Sequence, residues 1–343
     1  MTDVRQGSAL DSRISSRNGT VAAPPRPRPS LVPGPGQGFA PRVDNKDPRY
    51  IALRNFAISM SVFNVFGYTI LGFEQPWIFP ILAVLIGYTA EIGIEMLTAR
   101  VQNRPPAYAG HGGWGMYTFL LPTHITALAV NMLLYANDRF AAIAFGVVVA
   151  IGQKAILRAP INGKMRHFMN PSNFGITVTL VLFYWVNMAP PYQFTENVPD
   201  AIRILVPTII ITAGTVLNAA LTKRVPLILG WVGGFVIQAL LRHFIWDVAL
   251  WGALVPMTGV AFVLFTNYMI TDPATTPSLG RWQFMFGSGV AMTYGVLMLF
   301  NVAYTLFFAV CFVCAVRGCY WWYRTWRERQ QSQWAKDWHL SPA

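Results

Sequence analysis

Apolar runs of about 16 to 21 residues recur along this chain, separated by short polar connections. At a rise of roughly 1.5 Å per residue, each is long enough, or nearly so, for a helix to cross a hydrocarbon core of about 30 Å. Ten stand out: Arg54 to Phe73, Trp77 to Leu97, Tyr117 to Ala136, Arg139 to Leu157, Phe174 to Ala189, Ala201 to Leu221, Val225 to Phe244, Ala249 to Met269, Gln283 to Val302 and Ala303 to Trp322. Composition agrees, with 54% hydrophobic and 12% charged residues and a mean hydropathy of +0.41. A soluble core is excluded. The pattern predicts an all-α integral membrane protein with about ten transmembrane helices in residues 49–322.

Charge placement orients these helices, because cytoplasmic loops carry an excess of Lys and Arg. With the N-terminus inside, Arg100, Arg104, Lys154, Arg158, Lys164, Arg166, Lys223, Arg224 and Arg281 all fall in or beside inside connections. Only Arg139, Arg203 and Arg242 of the 26 Lys and Arg residues fall outside. Both termini are therefore expected in the cytoplasm. Five plus five helices divide the chain near Pro190 to Asp200, and an odd number per half makes the halves inverted, a plan that many transporters share. The net charge of +12 is then a topology signal and a contact with anionic lipid, with the bilayer as partner and no nucleic acid needed.

The tails read differently. Residues 1–48, with Ala23-Pro24-Pro25-Arg26-Pro27-Arg28-Pro29, have too little apolar surface to fold and are expected to form a disordered cytoplasmic tail. No apolar signal region precedes the first span, which is expected to do the targeting. Residues 323–343 are expected to be a basic and aromatic cytoplasmic tail, in which Tyr323 and Trp326 continue the belt begun by Trp321 and Trp322.

Ionisable groups inside spans are costly unless paired or hydrated. Glu91 and Glu95 share one face of the second segment, and Lys154 lies at similar depth on the fourth. A buried Glu-Lys pair would explain all three; a proton or cation pathway is the alternative. His124, deep in a span, suits a helix-to-helix hydrogen bond. Cys311 and Cys314 share a helix face, but two thiols do not complete a metal site, and no metal is expected. No Ser-His-Asp arrangement, phosphate loop or zinc motif is evident.

Two polar strings interrupt the apolar pattern: Asn170-Pro171-Ser172-Asn173 and Thr271-Asp272-Pro273-Ala274-Thr275-Thr276-Pro277. Such breaks flush against membrane helices line a cavity or bind something, or else they are simple caps and turns. Asn170 or Ser172 suits an N-cap with Pro171 in the first turn, and Asp272 suits a turn.

The strings His167-Phe168-Met169-Asn170-Pro171 and Met269-Ile270-Thr271-Asp272-Pro273, by order and placement, resemble those of the RnfD/NqrB family of flavin-carrying membrane subunits. Within it, Leu217-Asn218-Ala219-Ala220-Leu221-Thr222-Lys223-Arg224-Val225-Pro226 and Gly233-Gly234-Phe235 look closest to the RnfD-like branch called UnbU, which belongs to enediyne antibiotic biosynthesis. The resemblance spans roughly residues 50 to 320. It implies a multi-pass protein of the bacterial cytoplasmic membrane. It also implies a non-covalent riboflavin or FMN site at Asn170, with His167, Asn173, Thr271 and Asp272 as further candidates.

Two departures matter. His167 stands where the family has a second Asn, and imidazole would alter a flavin's potential. The family's external Ser-Gly-Ala-Thr string, which carries covalent FMN, is missing: the loop reads Pro190-Pro191-Tyr192-Gln193-Phe194-Thr195-Glu196-Asn197. No covalent FMN is expected. The function readings are a flavin-linked electron-transfer component working with other redox or biosynthetic proteins, a transporter or product-handling protein on the same scaffold, and a scaffold for soluble enzymes. Neither a catalytic residue nor a stand-alone enzymatic activity follows from the residues.

Overall fold

The computed structural model describes residues 46–110 and 112–339. Residues 1–45 of the expected disordered tail, and the chain end 340–343, lie outside the described residues. Among the described residues the chain is 75% helical with no closed sheet, an all-α, membrane-like protein. Its helices are α1 (Pro48–Phe66), α2 (Phe79–Val101), α3 (Gly112–Leu133), α4 (Phe140–Ile156), α5 (Pro171–Leu182), α6 (Asp200–Val216), α7 (Val225–Trp246), α8 (Leu250–Leu254), α9 (Val260–Leu264), α10 (Gly280–Leu299) and α11 (Thr305–His339). Four short strands form two antiparallel pairs: β1 (Leu134–Tyr135) with β4 (Asn187–Met188), and β2 (Arg158–Ile161) with β3 (Lys164–His167).

Among the described residues, five helices are long and apolar enough to cross a membrane: α2, α3, α6 with the π turn that extends it to Thr222, α7 and α11. A sixth arises if Leu250–Thr258 and Val260–Met269, bent by 65°, count as one span. The expectation of ten full spans is thus met in part. Helix α4 has 17 residues and α5 only 12, so α5 covers about 18 Å. The run expected to be helical through Ala189 stops at Leu182, where Phe183 becomes extended (φ −113°, ψ 90°). Phe183-Tyr184-Trp185-Val186 is aromatic and β-branched, and hydropathy does not separate such a run from helix. The opposite happens at the C-terminus. Helix α11 continues past Trp322 to His339, because no Gly or Pro interrupts the chain between Gly318 and Pro342.

Local chemistry sets the remaining boundaries. The Asp47 carboxylate accepts the Arg49 N–H at 2.8 Å and Pro48 takes the first helical position, so α1 starts ahead of Arg54. Pro256 and the extended Gly259 (φ −83°, ψ 145°) break the span between α8 and α9. Helices α7 and α10 pack closely because Gly230 and Gly287 lie against each other's helix. A Cβ on Gly287 would run into the Leu227 carbonyl, and one on Gly230 into that of Phe284. Trp231, fully buried, stacks on Phe262 with centroids 5.5 Å apart and donates its indole N–H to Thr266 Oγ1 at 2.9 Å.

The two halves show parallel contacts. In the first, α1 packs on α3, α2 on α4 and α4 on α5; in the second, α6 packs on α9, α7 on α10 and α10 on α11. Helices α1 and α6 both end in a π turn, Gly67–Leu71 and Leu217–Thr222, each closed by a left-handed residue, Gly72 (φ 72°) and Lys223 (φ 54°). An Asn-to-Asn bond ties the first and third elements of each half. Asn131 Nδ2 donates to Asn64 Oδ1 at 3.3 Å, and Asn218 Nδ2 to the Asn267 carbonyl at 2.8 Å.

Polar contacts also group the connections. Gln75 Nε2 donates to the Leu134 carbonyl at 2.9 Å, β1 pairs with β4, and Tyr304 donates to Asn187 Oδ1 at 2.6 Å. A separate group joins the β2–β3 hairpin, the α6–α7 link, the 270–279 loop and α11, and it contains the two polar strings.

Candidate functional site

The Asn-Pro string begins α5. Asn170 is its N-cap, with Oδ1 accepting the Asn173 N–H at 3.0 Å and the Ser172 hydroxyl at 3.1 Å, and Pro171 fills the first turn. The cap leaves its amide nitrogen free to reach outward. Asn170 Nδ2 donates to the Met269 carbonyl at 3.0 Å, which joins the two strings across 99 positions of sequence. The π turn Phe265–Met269, which ends the broken span, delivers that carbonyl.

The Thr-Asp-Pro string is a hydrogen-bonded turn. Thr271, buried, donates to the Asn267 carbonyl at 2.7 Å. Asp272 accepts from the Ala274 N–H at 3.0 Å and from the Thr275 hydroxyl at 2.8 Å. Two arginines clamp the loop: Arg224 donates to the carbonyls of Pro277 and Pro273, and Arg317 to that of Thr275 at 2.7 Å. Charge placement alone had made these two arginines topology markers only. The signal for Arg317 was its isolation within the apolar run of α11. For Arg224 no signal is visible beyond the adjacent Lys223.

His167 closes β3 beside this loop. Burial holds its pKa below the ordinary histidine value, with Asp272 opposing and Lys154 and Arg158 reinforcing the shift. A neutral imidazole at pH 7 follows. Asn173, fully buried, donates to the Phe307 carbonyl at 2.8 Å and to Cys311 Sγ at 3.2 Å, which leaves Oδ1 without a hydrogen bond. Gln153 behaves alike: Nε2 reaches the Met169 carbonyl at 3.4 Å and Oε1 is unpaired. Asn170, His167, Thr271 and Asp272 are thus gathered with two orphaned buried acceptors nearby. Acceptors of that kind suit the N–H edge of a flavin ring, so the residues present fit the group that the family resemblance implies.

The carboxylates in the spans separate. Glu91 pairs with Lys154 and accepts the Thr123 hydroxyl at 2.9 Å. Glu95 instead takes Arg104 in a bidentate pair and the Ala107 N–H at 2.6 Å. A single Glu-Lys pair accounting for Glu91, Glu95 and Lys154 together is therefore corrected to two pairs. The second was hidden because Arg104 lies nine residues further along, in a connection. His124 bridges helices as expected, within 2.8 Å of Ser61 Oγ and 2.9 Å of the Tyr88 hydroxyl.

No protein-family model matches the chain, and no curated protein matches it either.

Proposed function

We propose that the protein is an RnfD/NqrB-like membrane component that moves electrons through a non-covalently held flavin, where the Asn-Pro and Thr-Asp-Pro strings meet. The observation that carries this reading is the Asn170-to-Met269 bond, which brings together two motifs that sequence alone placed far apart. Asn173 and Gln153 would supply acceptors, Asn170 and Asp272 the frame, and neutral His167 a tunable hydrogen bond. When bound, the flavin supplies one- and two-electron transfer. The chain binds and orients it and shields it from water. With no Ser-Gly-Ala-Thr string in the loop around Thr195, covalent FMN is not part of the proposal.

In this reading the chain crosses a bacterial cytoplasmic membrane ten times, with both termini inside and two inverted halves, and serves redox steps of enediyne-type biosynthesis beside partner proteins. The matched contacts of the halves and the grouping of connections support the arrangement. A Cys at Thr195 should react with an impermeant reagent in intact cells; reaction only after lysis would sink it. The visible absorption spectrum tests the function. Flavin bands that leave the polypeptide on acid denaturation support it, and a flavin that survives a denaturing gel contradicts the non-covalent site.

A second reading is a transporter on the same scaffold. The broken span with its 65° bend and the Asn-to-Asn tie in each half favour it, since discontinuous helices at repeat interfaces form transport sites. A colourless, well-folded protein would select it.

A further inference from the structure

Of the five long apolar helices among the described residues, α2 is the least covered by the rest of the protein. A pocket of about 460 Å³ opens between its C-terminal end and the connection that follows, lined by Met96, Arg100, Asn103, Arg104, Pro106 and Tyr108. That volume lies within the range of small-molecule sites. The two arginines are in opposite states. Arg104 is fully engaged, with Nη1 and Nη2 on the Glu95 carboxylate, Nη1 also on the Pro105 carbonyl at 3.1 Å, and Nε on Gln102 Oε1 at 2.8 Å. Arg100 has neither a hydrogen-bond nor an ion-pair partner among the described residues. The Asn103 amide and the Tyr108 hydroxyl are likewise unpartnered there, although the Tyr108 ring is held against Phe119 with centroids 5.5 Å apart. The helix end does not compete for Arg100, because the carbonyls of Thr98, Ala99 and Arg100 already accept the N–H groups of Gln102, Arg104 and Asn103. No carboxylate lines the pocket, so it carries one uncompensated positive charge.

A guanidinium only donates, so Arg100 selects an acceptor, and its charge selects an anion. Its planar fork matches two oxygens of one phosphate, with Asn103 and Tyr108 placed to donate to the others. The apolar flank identifies what carries that phosphate. Met96 lies one turn before Arg100 on the same face, Leu97 and Val101 beside it are 64% and 82% exposed, and Gly93 leaves open space a further turn back. A soluble phosphate leaves that strip bare, whereas an acyl chain covers it. A zwitterionic headgroup would also need an acceptor for its ammonium, and the Glu95 carboxylate is taken up by Arg104 and the Ala107 N–H. We propose that this pocket is a discrete site for one anionic phospholipid, whose phosphate accepts from Arg100, Asn103 and Tyr108 and whose chain runs along Gly93, Met96 and Leu97. Arg104, locked by Glu95, is a positioning residue that fixes the wall. The proposal stands apart from the flavin reading, since none of the residues of the Asn170 cluster lines this pocket.

The test uses the full-length protein, delipidated in mild detergent, with bound lipid counted by native mass spectrometry. Dioctanoyl phosphatidylglycerol should fill a saturable site that phosphatidylcholine of the same chain length does not fill and that an equal concentration of inorganic phosphate does not empty. Arg100 is exposed and unpaired, so Arg100→Gln leaves the fold intact; it should weaken phosphatidylglycerol binding about tenfold, and Tyr108→Phe about two- to threefold. Lys164→Gln, which removes an exposed charge from the β2–β3 hairpin, should leave binding unchanged. Phosphatidylglycerol should also raise the unfolding midpoint of the wild type and of Lys164→Gln more than that of Arg100→Gln. Equal binding of the two lipids, displacement of the lipid by inorganic phosphate, or the same affinity in Arg100→Gln and Lys164→Gln would overturn the site.

Discussion

The polar cluster at Asn170 and Asp272 and the open groove between α1 and α6, lined by Asn55, Ser59, Thr208 and Thr212, handle their hydrogen bonds in opposite ways. In the cluster, Asn170 spends one end of its amide on the α5 cap and the other on Met269, and Asp272 is held by its own turn. Around it, Asn173 Oδ1, Gln153 Oε1, Arg158 Nε and Arg224 Nε are buried without a hydrogen-bond partner among the described residues. In the groove, the half-exposed Asn55 side-chain amide has no hydrogen-bond partner among the described residues. Removing a polar residue that its own fold satisfies strands its partners, whereas removing one without a partner strands nothing. Substitution in the cluster should therefore cost stability, and substitution in the groove should not.

The largest cost is expected just outside the cluster, at the Glu91–Lys154 pair. Lys154→Met strands a carboxylate between helices and should destabilise the protein by about 3 kcal/mol. The double variant Glu91→Gln, Lys154→Met should recover most of that in a denaturation assay. An unchanged unfolding midpoint in Lys154→Met would show that the pair contributes nothing to the fold. Persistent loss of activity in a stable double variant would instead mark an ion or proton pathway. Next comes Asn170→Leu, which removes the cap and strands the Met269 carbonyl. It should cost about 2 kcal/mol and lower flavin occupancy roughly tenfold. Asp272→Ala should act in the same direction, and Thr195→Ala should change little. If Asn170→Leu and Asp272→Ala keep normal flavin content, the strings are a cap and a turn only.

How far the residues announced this structure depends on the kind of signal each gives. Each apolar segment contains helix, because hydropathy over a long window is insensitive to detail, and the cap at Asn170 and the turn at Asp272 were legible from local chemistry. What hydropathy does not encode is where an apolar run stops being helical, so the end of α5 at Leu182 and the break at Gly259 were missed. Pairings between distant charges were equally hidden. Arg104 with Glu95, and Arg224 and Arg317 with the 270–279 loop, depend on how helices are brought side by side, which one sequence read locally does not specify. The groove gave no motif at all: Asn55 and Ser59 are one turn apart on α1 and line a groove only when α6 lies beside them.

The cluster should also respond to acid. Burial holds the pKa of His167 below its ordinary value in the folded protein, whereas the unfolded chain takes up a proton near pH 6.5. Above that pH both states are neutral at this site and stability is full. As pH falls below it, the unfolded state binds the proton first, so stability declines until the folded-state value is passed. Asp272 and Glu91 favour the proton on His167, and Lys154 and Arg158 resist it. Unfolding midpoints measured from pH 7.5 down to 5 should therefore fall more steeply for the wild type than for His167→Gln. Parallel curves would mean that the imidazole is freely hydrated.

The smallest effect is the most discriminating. Asn55→Leu removes an amide that has no partner among the described residues and replaces it with a side chain suited to lipid, so no protein hydrogen bond is lost and a desolvation cost is relieved. Its unfolding midpoint in nanodiscs should match or slightly exceed the wild type's, a change within about 0.5 kcal/mol or in the stabilising direction. Asn170→Leu is the same chemical change at a satisfied site, so the pair isolates hydrogen-bond satisfaction from residue type. Were Asn55→Leu to cost as much as Asn170→Leu, the amide would have a structural partner in the membrane, and the contrast between a hydrogen-bonded Asn170 and an unpartnered Asn55 would fail.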